Sequence, residues 1–226
     1  MLLEETKFVR EKLDGAGSVL KDPFVREVRK LGRTFECAFE WCSGIGEIGY
    51  AILQNNLCKR LCLADINPAA IEVAREIAMR EGLEDKVDIY ISDNMDKVPA
   101  ARRFDLVVAN PPNFYNVQKD NPYGARMYND LRPNDRGWKI HEKFYSTIGA
   151  YLLPGAVLLI EEIEPFKKEV FMSPDPSCKI PYDIRDEVPM ETFERMTRQN
   201  GLKIVDTSPL LELSGIQSYV LKIVAA

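Results

Sequence analysis

The chain has 226 residues, 46% of them hydrophobic and 29% charged, and a formal net charge of −5. At roughly 150 residues per domain that is about one and a half domains, enough to bury a core without disulfide or metal staples. The composition excludes collagen-like, disordered and disulfide-scaffold chains, and no run approaches the roughly 18 apolar residues of a membrane span. With acids where a signal peptide carries its basic and apolar stretches, the first residues read as those of a cytoplasmic protein. Five cysteines without a Cys-x-x-Cys pair, and a single histidine, leave a zinc site almost no ligands, so the thiols are expected to be buried and no metal is expected.

Two amphipathic segments, 2–13 and 23–31, are broken by Gly15-Ala-Gly17 and predict a helical cap over residues 1–33. From residue 34 onward strand-like and helix-like stretches alternate, the pattern of a mostly parallel α/β sheet covered by helices. Strands are predicted at 34–41, 60–66, 87–92, 104–109, 156–161, 202–206 and 218–224, and helices at 47–55, 68–81, 135–152 and 190–200. Asn67 followed by Pro68 is an N-cap with proline at the first helical position, and Gly82 and Gly201 sit where C-terminal glycines belong. Only a short connection separates the last two strands, so they are expected to pair antiparallel. Long connections at 111–134 and 163–189 are of the length usually given to function.

Gly44-Ile-Gly46-Glu-Ile-Gly49 follows the first strand and opens a helix, and Asp65 ends the second strand, where an acid holds ribose hydroxyls. Taken alone, this turn also suits an NAD-dependent oxidoreductase. An acid at Glu40, just before the turn, would repel a pyrophosphate and suit the ammonium group of S-adenosylmethionine. The fourth strand ends in Asn110-Pro-Pro-Asn-Phe-Tyr115. At this point the chain resembles a class I S-adenosylmethionine-dependent methyltransferase of the Asn-Pro-Pro type, a group that includes protein-glutamine and adenine-amino methyltransferases.

The resemblance covers about residues 34–226. It implies a Rossmann-like seven-stranded sheet with an antiparallel last strand and S-adenosyl-L-methionine as cofactor. Glu40, Cys42, Ser43, Gly44 and Gly46 match the first cofactor motif, Asp65 and Ile66 the ribose end of the second strand, and Asp93 and Asn94, after Ser92, the adenine-contacting motif. Asn110, Pro111 and Pro112 match the catalytic motif, with Asn110 also beside the cofactor. Cys42 stands where the family usually has a glycine, and Asn113 where its best-known members have an aromatic residue.

Methyl transfer from a sulfonium needs neither a metal nor an acid for the leaving group; the task is alignment and desolvation of the nucleophile. For an amide or aromatic amine, the Asn110 side-chain oxygen and the Pro111 carbonyl can each accept one N–H, pinning the nitrogen. The prolines fix φ and donate no hydrogen, so they present acceptors on a stiff scaffold. The leading reading is therefore N-methylation of a small molecule or peptide. A nucleic-acid base methyltransferase, an oxidoreductase and a non-catalytic partner-binding protein stand as alternatives, and nucleic acid and membrane are not expected partners.

Substrate candidates are Asn113, Phe114, Tyr115, Tyr123, Tyr128 and His141. The histidine lies on a helix face with Trp138, Phe144, Tyr145 and Ile148, a face that is mostly core. Between Glu161 and Glu194 ten acids stand against four bases, which accounts for the whole net charge. As a solvated rim this stretch is expected to draw in cationic substrates or basic peptides.

Overall fold

The computed structural model describes residues 17–129, 133–173, 175–213 and 215–226. It opens with α1 (Gly17–Lys30), β1 (Phe35–Trp41), α2 (Glu47–Gln54), β2 (Cys58–Asp65), α3 (Pro68–Arg80), β3 (Val87–Ile91) and β4 (Phe104–Ala109). There follow α4 (Gly124–Met127), α5 (Lys139–Ile148), β5 (Leu152–Ile163), β6 (Glu169–Val170), β7 (Asp183–Ile184), α6 (Pro189–Gln199), β8 (Leu202–Leu213) and β9 (Ile216–Ala225). Segment 2–13 of the expected cap lies outside the described residues. The second cap segment begins at Gly17 rather than Pro23 and carries the proline inside the helix, buried with Leu20, Phe24, Val25 and Val28. Lys21 Nζ pairs with Glu47 at 3.3 Å and Arg29 donates to Asn55 at 2.6 Å, tying α1 along α2.

The seven-stranded sheet runs β3-β2-β1-β4-β5-β9-β8. Strands β1 to β5 pair in parallel and β8 with β9 antiparallel, as the short connection predicted. The chain leaves β1 toward β2 and β3 on one side, then returns to place β4 on the other. This makes the crevice between the ends of β1 and β4 the topological switch point, where open α/β sheets bind ligands.

The described chain forms two compact units, divided at the Asn110–Pro111 bond. The first holds the described residues up to Asn110 together with Ala150–Ile160. Its register pairs Trp41 with Ala64 and Ala109, and Asp65 with Ile91, so the carboxyl ends of four strands share one edge. Phe39 and Phe104 stack at 4.8 Å in its core.

The second unit holds Pro111–Gly149 and Glu161–Ala226. Here the two long connections build structure of their own. Strands β6 and β7 pair antiparallel, and a bridge joins Val117 to Asp183. Phe114, Val117, Val170 and Tyr182 form a buried apolar cluster against which Tyr123, Met127 and Ile163 pack. Neither connection shows strong periodicity in sequence, because each completes its core only by packing on the other.

Candidate active site

The glycine turn after β1 keeps its left-handed backbone even where a glycine is missing. Cys42 has φ 52°, Gly44 φ 53° and Gly46 φ 85°. A non-glycine residue pays about 1–2 kcal/mol for that conformation. Cys42→Gly should therefore leave the urea unfolding free energy unchanged or raise it by about 1 kcal/mol, the relief being partly offset by unfolded-chain entropy. A β-branched Cys42→Val should lower it. Gly46 is held by space as well: a Cβ there would lie 2.7 Å from Leu63 Cδ1 and 2.9 Å from the Tyr50 ring.

Glu40 is 3% exposed, and its Oε2 accepts the Gly49 N–H of α2 at 2.7 Å. A Cβ at Gly49 would fall 2.6 Å from that oxygen, so glycine at 49 permits the bond. In this position Glu40 braces the turn from behind, at the positive end of α2. Ser43 is also buried, its N–H donating to Ala64 O at 3.1 Å.

Asp65 links the strand ends. Its Oδ2 accepts the Gly44 N–H and its Oδ1 the Asn67 N–H, both at 2.8 Å. Burial raises its pKa, opposed by the N–H groups of Asn67, Gly44 and Ile66. Ile66, the next residue, is 67% exposed, an apolar side chain left uncovered on this edge. At the end of β3, Ser92 Oγ donates to Asn94 O at 2.8 Å, holding Asn94 at φ 52°. Asp93 is exposed and accepts Asn94 Nδ2 at 3.1 Å. Asn94 is 5% exposed, and its Oδ1 has no hydrogen-bond partner among the described residues. An unmatched buried acceptor costs about 1–3 kcal/mol unless a ligand donor meets it. Asn110 directly follows β4, half-buried, and no hydrogen bond of its side chain is found among the described residues.

In the second unit Pro111 and Pro112 are buried. Most substrate candidates are committed elsewhere. Asn113 is buried, with its amide bonded to Pro111, Glu161 and Ile163. Phe114 packs edge-on to Tyr182 at 4.7 Å in the apolar cluster, so it offers no platform for a planar substrate. Tyr123 leans on the same ring, and Tyr128 carries Lys119 and Arg136 over its face at 4.2 and 4.7 Å. Tyr115 remains half-exposed, its hydroxyl donating to Asp186, which pushes its pKa up to about 12.

His141 lies in the interior of the second unit. It is 0% exposed, with Nδ1 2.6 Å from Asp135 and Nε2 2.9 Å from Glu162, and it stacks on Phe193. Burial opposes its charge, but the Glu162 carboxylate and the hydrogen bond to Asp135 outweigh it and hold the pKa at about 10. A carboxyl oxygen at each ring nitrogen favours the doubly protonated ring, with both nitrogens engaged inside the unit.

The acidic rim is likewise partly interior. Glu161, Glu162, Glu164 and Asp183 are buried. Asp183 pairs with Arg185, whose guanidinium also donates to the carbonyls of Glu164, Lys167, Ile163 and Asn113. Burial and the neighbouring Glu162 push the Glu161 pKa up to about 8. These four acids hold the unit together, and only the exposed remainder can steer a ligand. The signal for them was present: two consecutive acids inside the apolar run Leu158-Leu-Ile-Glu-Glu-Ile163. Among the described residues no group of three metal-ligating side chains is found.

A family model described as the methyltransferase small domain matches residues 3–130. The release factor glutamine methyltransferase of Clostridium acetobutylicum is 36% identical over 127 residues, 53% of this chain and 44% of its own length. That of Koribacter versatilis is 27% identical over 125 residues, 53% of this chain and 43% of its own length. The chain thus spans less than half the length of these curated relatives. Among solved structures, an S-adenosylmethionine-dependent methyltransferase from Clostridium acetobutylicum superposes over 100% of both chains with a TM-score of 0.63 at 11% identity. The ribosomal protein L11 methylase of Lactobacillus delbrueckii subsp. bulgaricus matches 91% of this chain and 78% of its own with a TM-score of 0.57 at 12% identity. At these identities the likeness is one of fold.

Proposed function

The chain belongs to the methyltransferase small domain family, and we propose that it is an S-adenosylmethionine-dependent methyltransferase that methylates an amide or amino nitrogen of a peptide or protein. The observation that carries this reading is Asn110: a primary amide with no hydrogen bond among the described residues, at the carboxyl end of β4 beside the switch point, followed by two prolines. The oxidoreductase alternative falls with the family assignment.

The residues of the first unit fit the cofactor. Asn94 Oδ1 is a buried acceptor without a donor, matching an exocyclic amino group. Asp65 keeps acceptor capacity beyond its three backbone N–H partners, for a ribose hydroxyl, and Ile66 offers an uncovered apolar surface for a flat ring. When bound, S-adenosylmethionine supplies a methyl group on a sulfonium, so that the leaving group departs neutral.

The chain's own task is to hold the nitrogen. Asn110 Oδ1 accepts one N–H of the acceptor amide, and the Pro111 carbonyl, which has one lone pair on Asn113 and one left, accepts the other. Two acceptors on one nitrogen fix its orientation and draw its lone pair out of conjugation. With Asn113 turned inward and Phe114 in the cluster, this stretch lacks the aromatic platform on which a nucleobase would stack, which favours an amide.

The names of the curated relatives point to a glutamine in a release factor. Incubation with methyl-labelled S-adenosylmethionine and a glutamine-bearing release-factor peptide should transfer label, and a Gln→Glu peptide should not. Label entering both peptides equally, or neither, would sink the amide reading.

A further inference from the structure

Asn113 stands at the position where the resemblance leads one to expect an aromatic residue, and all its polar atoms are spent. Its Nδ2 donates to Pro111 O at 2.9 Å and to Glu161 Oε2 at 2.7 Å, and its Oδ1 accepts the Ile163 N–H at 3.0 Å. One amide hydrogen thus goes to the loop, one to the end of β5, and the oxygen returns to β5. Glu161 is 2% exposed, and Arg185 Nη2 reaches the Asn113 carbonyl at 3.3 Å from another side.

This matters for a carbonyl between two prolines. Proline fixes φ, but the direction of the Pro111 carbonyl follows ψ. The proline after it confines ψ to an extended range of about 40°, still wide for aiming an acceptor. A hydrogen bond from a side chain that is itself clamped selects one direction within that range.

Resting on the amide-methylation reading above, we propose that Asn113 and Glu161 are positioning residues: Glu161 orients the Asn113 amide, and Asn113 aims the Pro111 carbonyl so that its second lone pair meets the acceptor N–H. Neither residue touches the substrate.

The test compares Asn113→Ala, Glu161→Ala and Glu161→Gln with the wild type by initial rates on the release-factor peptide, by calorimetric affinity for S-adenosylhomocysteine and by urea unfolding. Asn113→Ala and Glu161→Ala should lower kcat by about 10- to 100-fold, leaving the peptide KM and the S-adenosylhomocysteine Kd within about threefold. Glu161→Gln keeps an acceptor oxygen for the Asn113 amide and should recover kcat to within about threefold of wild type. An unchanged kcat in Asn113→Ala, or equal losses in the two Glu161 variants, overturns the proposal. If Asn113→Ala does not fold, the Glu161 pair decides.

If the wild type methylates no glutamine peptide, the functional reading fails, and positioning is decided by NMR of the Asn113 side-chain amide. Its two hydrogens should keep distinct, exchange-protected signals in Glu161→Gln and lose that protection in Glu161→Ala. Identical spectra in the two variants would overturn the coupling.

Discussion

Asn110→Ala should reduce methyl transfer by about a hundred- to a thousandfold in kcat, about 3–4 kcal/mol of transition-state stabilisation, as when one preorganised hydrogen-bonding group is removed from an active site. On the proposed amide methylation the loss should fall on kcat, because the nitrogen must be turned toward the methyl only as the bond forms. Affinity for S-adenosylhomocysteine should hold within about fivefold, since the proposed cofactor contacts Asp65, Ile66 and Asn94 remain in place. Stability should barely move, because the wild-type side chain makes no hydrogen bond among the described residues. Asn110→Asp gives a sharper comparison, keeping an acceptor oxygen while adding charge. Measured together, rate, affinity and urea midpoint separate a residue that handles substrate from one that merely ends a strand; a kcat within about threefold of wild type would refute the assignment.

His141→Leu should cost about 3–5 kcal/mol in urea unfolding at neutral pH, the range seen when one partner of a buried ion pair is removed. Leucine fills a comparable space but leaves Asp135 and Glu162 facing each other without the shared cation, and both are buried as deeply as the histidine. Asp135 would keep its bonds to the N–H groups of Ile140 and His141 at the start of α5, so the helix entry should survive while the packing behind it loosens.

The wild-type pH dependence follows from the sign of the shift. With a folded pKa of about 10 against about 6.5 in the unfolded chain, His141 stabilises fully below pH 6.5. That contribution fades as pH rises through 10. The Glu161 carboxyl, held up to about 8, acts in the same direction, its neutral form being favoured by folding and lost above that pH. Urea midpoints should therefore fall steadily from pH 6.5 to 10, and His141→Leu should flatten the upper part of that slope. A wild type equally stable at pH 7 and 10 would contradict the charged-histidine arrangement.

Much of the sheet was legible in sequence because burial writes itself into short apolar runs: each of the seven predicted strands of the main sheet formed. Their ends moved most where a strand is half-covered. β8 runs on to Leu213 although the segment past Asp206 carries Pro209, since β9 supplies its partners. Strands β6 and β7 were not legible at all. Each is two residues long and exists only because the connections at 111–134 and 163–189 pack on one another.

The same division runs through the candidate site. The glycine turn and Asp65 were read from spacing, since a tight turn and a strand end impose residue types locally, and Asn110-Pro-Pro112 was read from the resemblance. Glu161 and Glu162 were read as part of a solvated acidic stretch, as two adjacent charges normally are. In a strand, however, neighbouring side chains point to opposite faces, and the end of β5 is covered on both: Glu161 meets Asn113, and Glu162 meets His141. The sequence by itself determined the fold class and the place of the glycine turn between β1 and α2, because strand period and turn geometry are local properties. Which acids are buried, whether His141 holds a proton and where Asn113 points were decided only by the tertiary structure, because the cost of burying a polar group depends on partners brought from elsewhere in the chain.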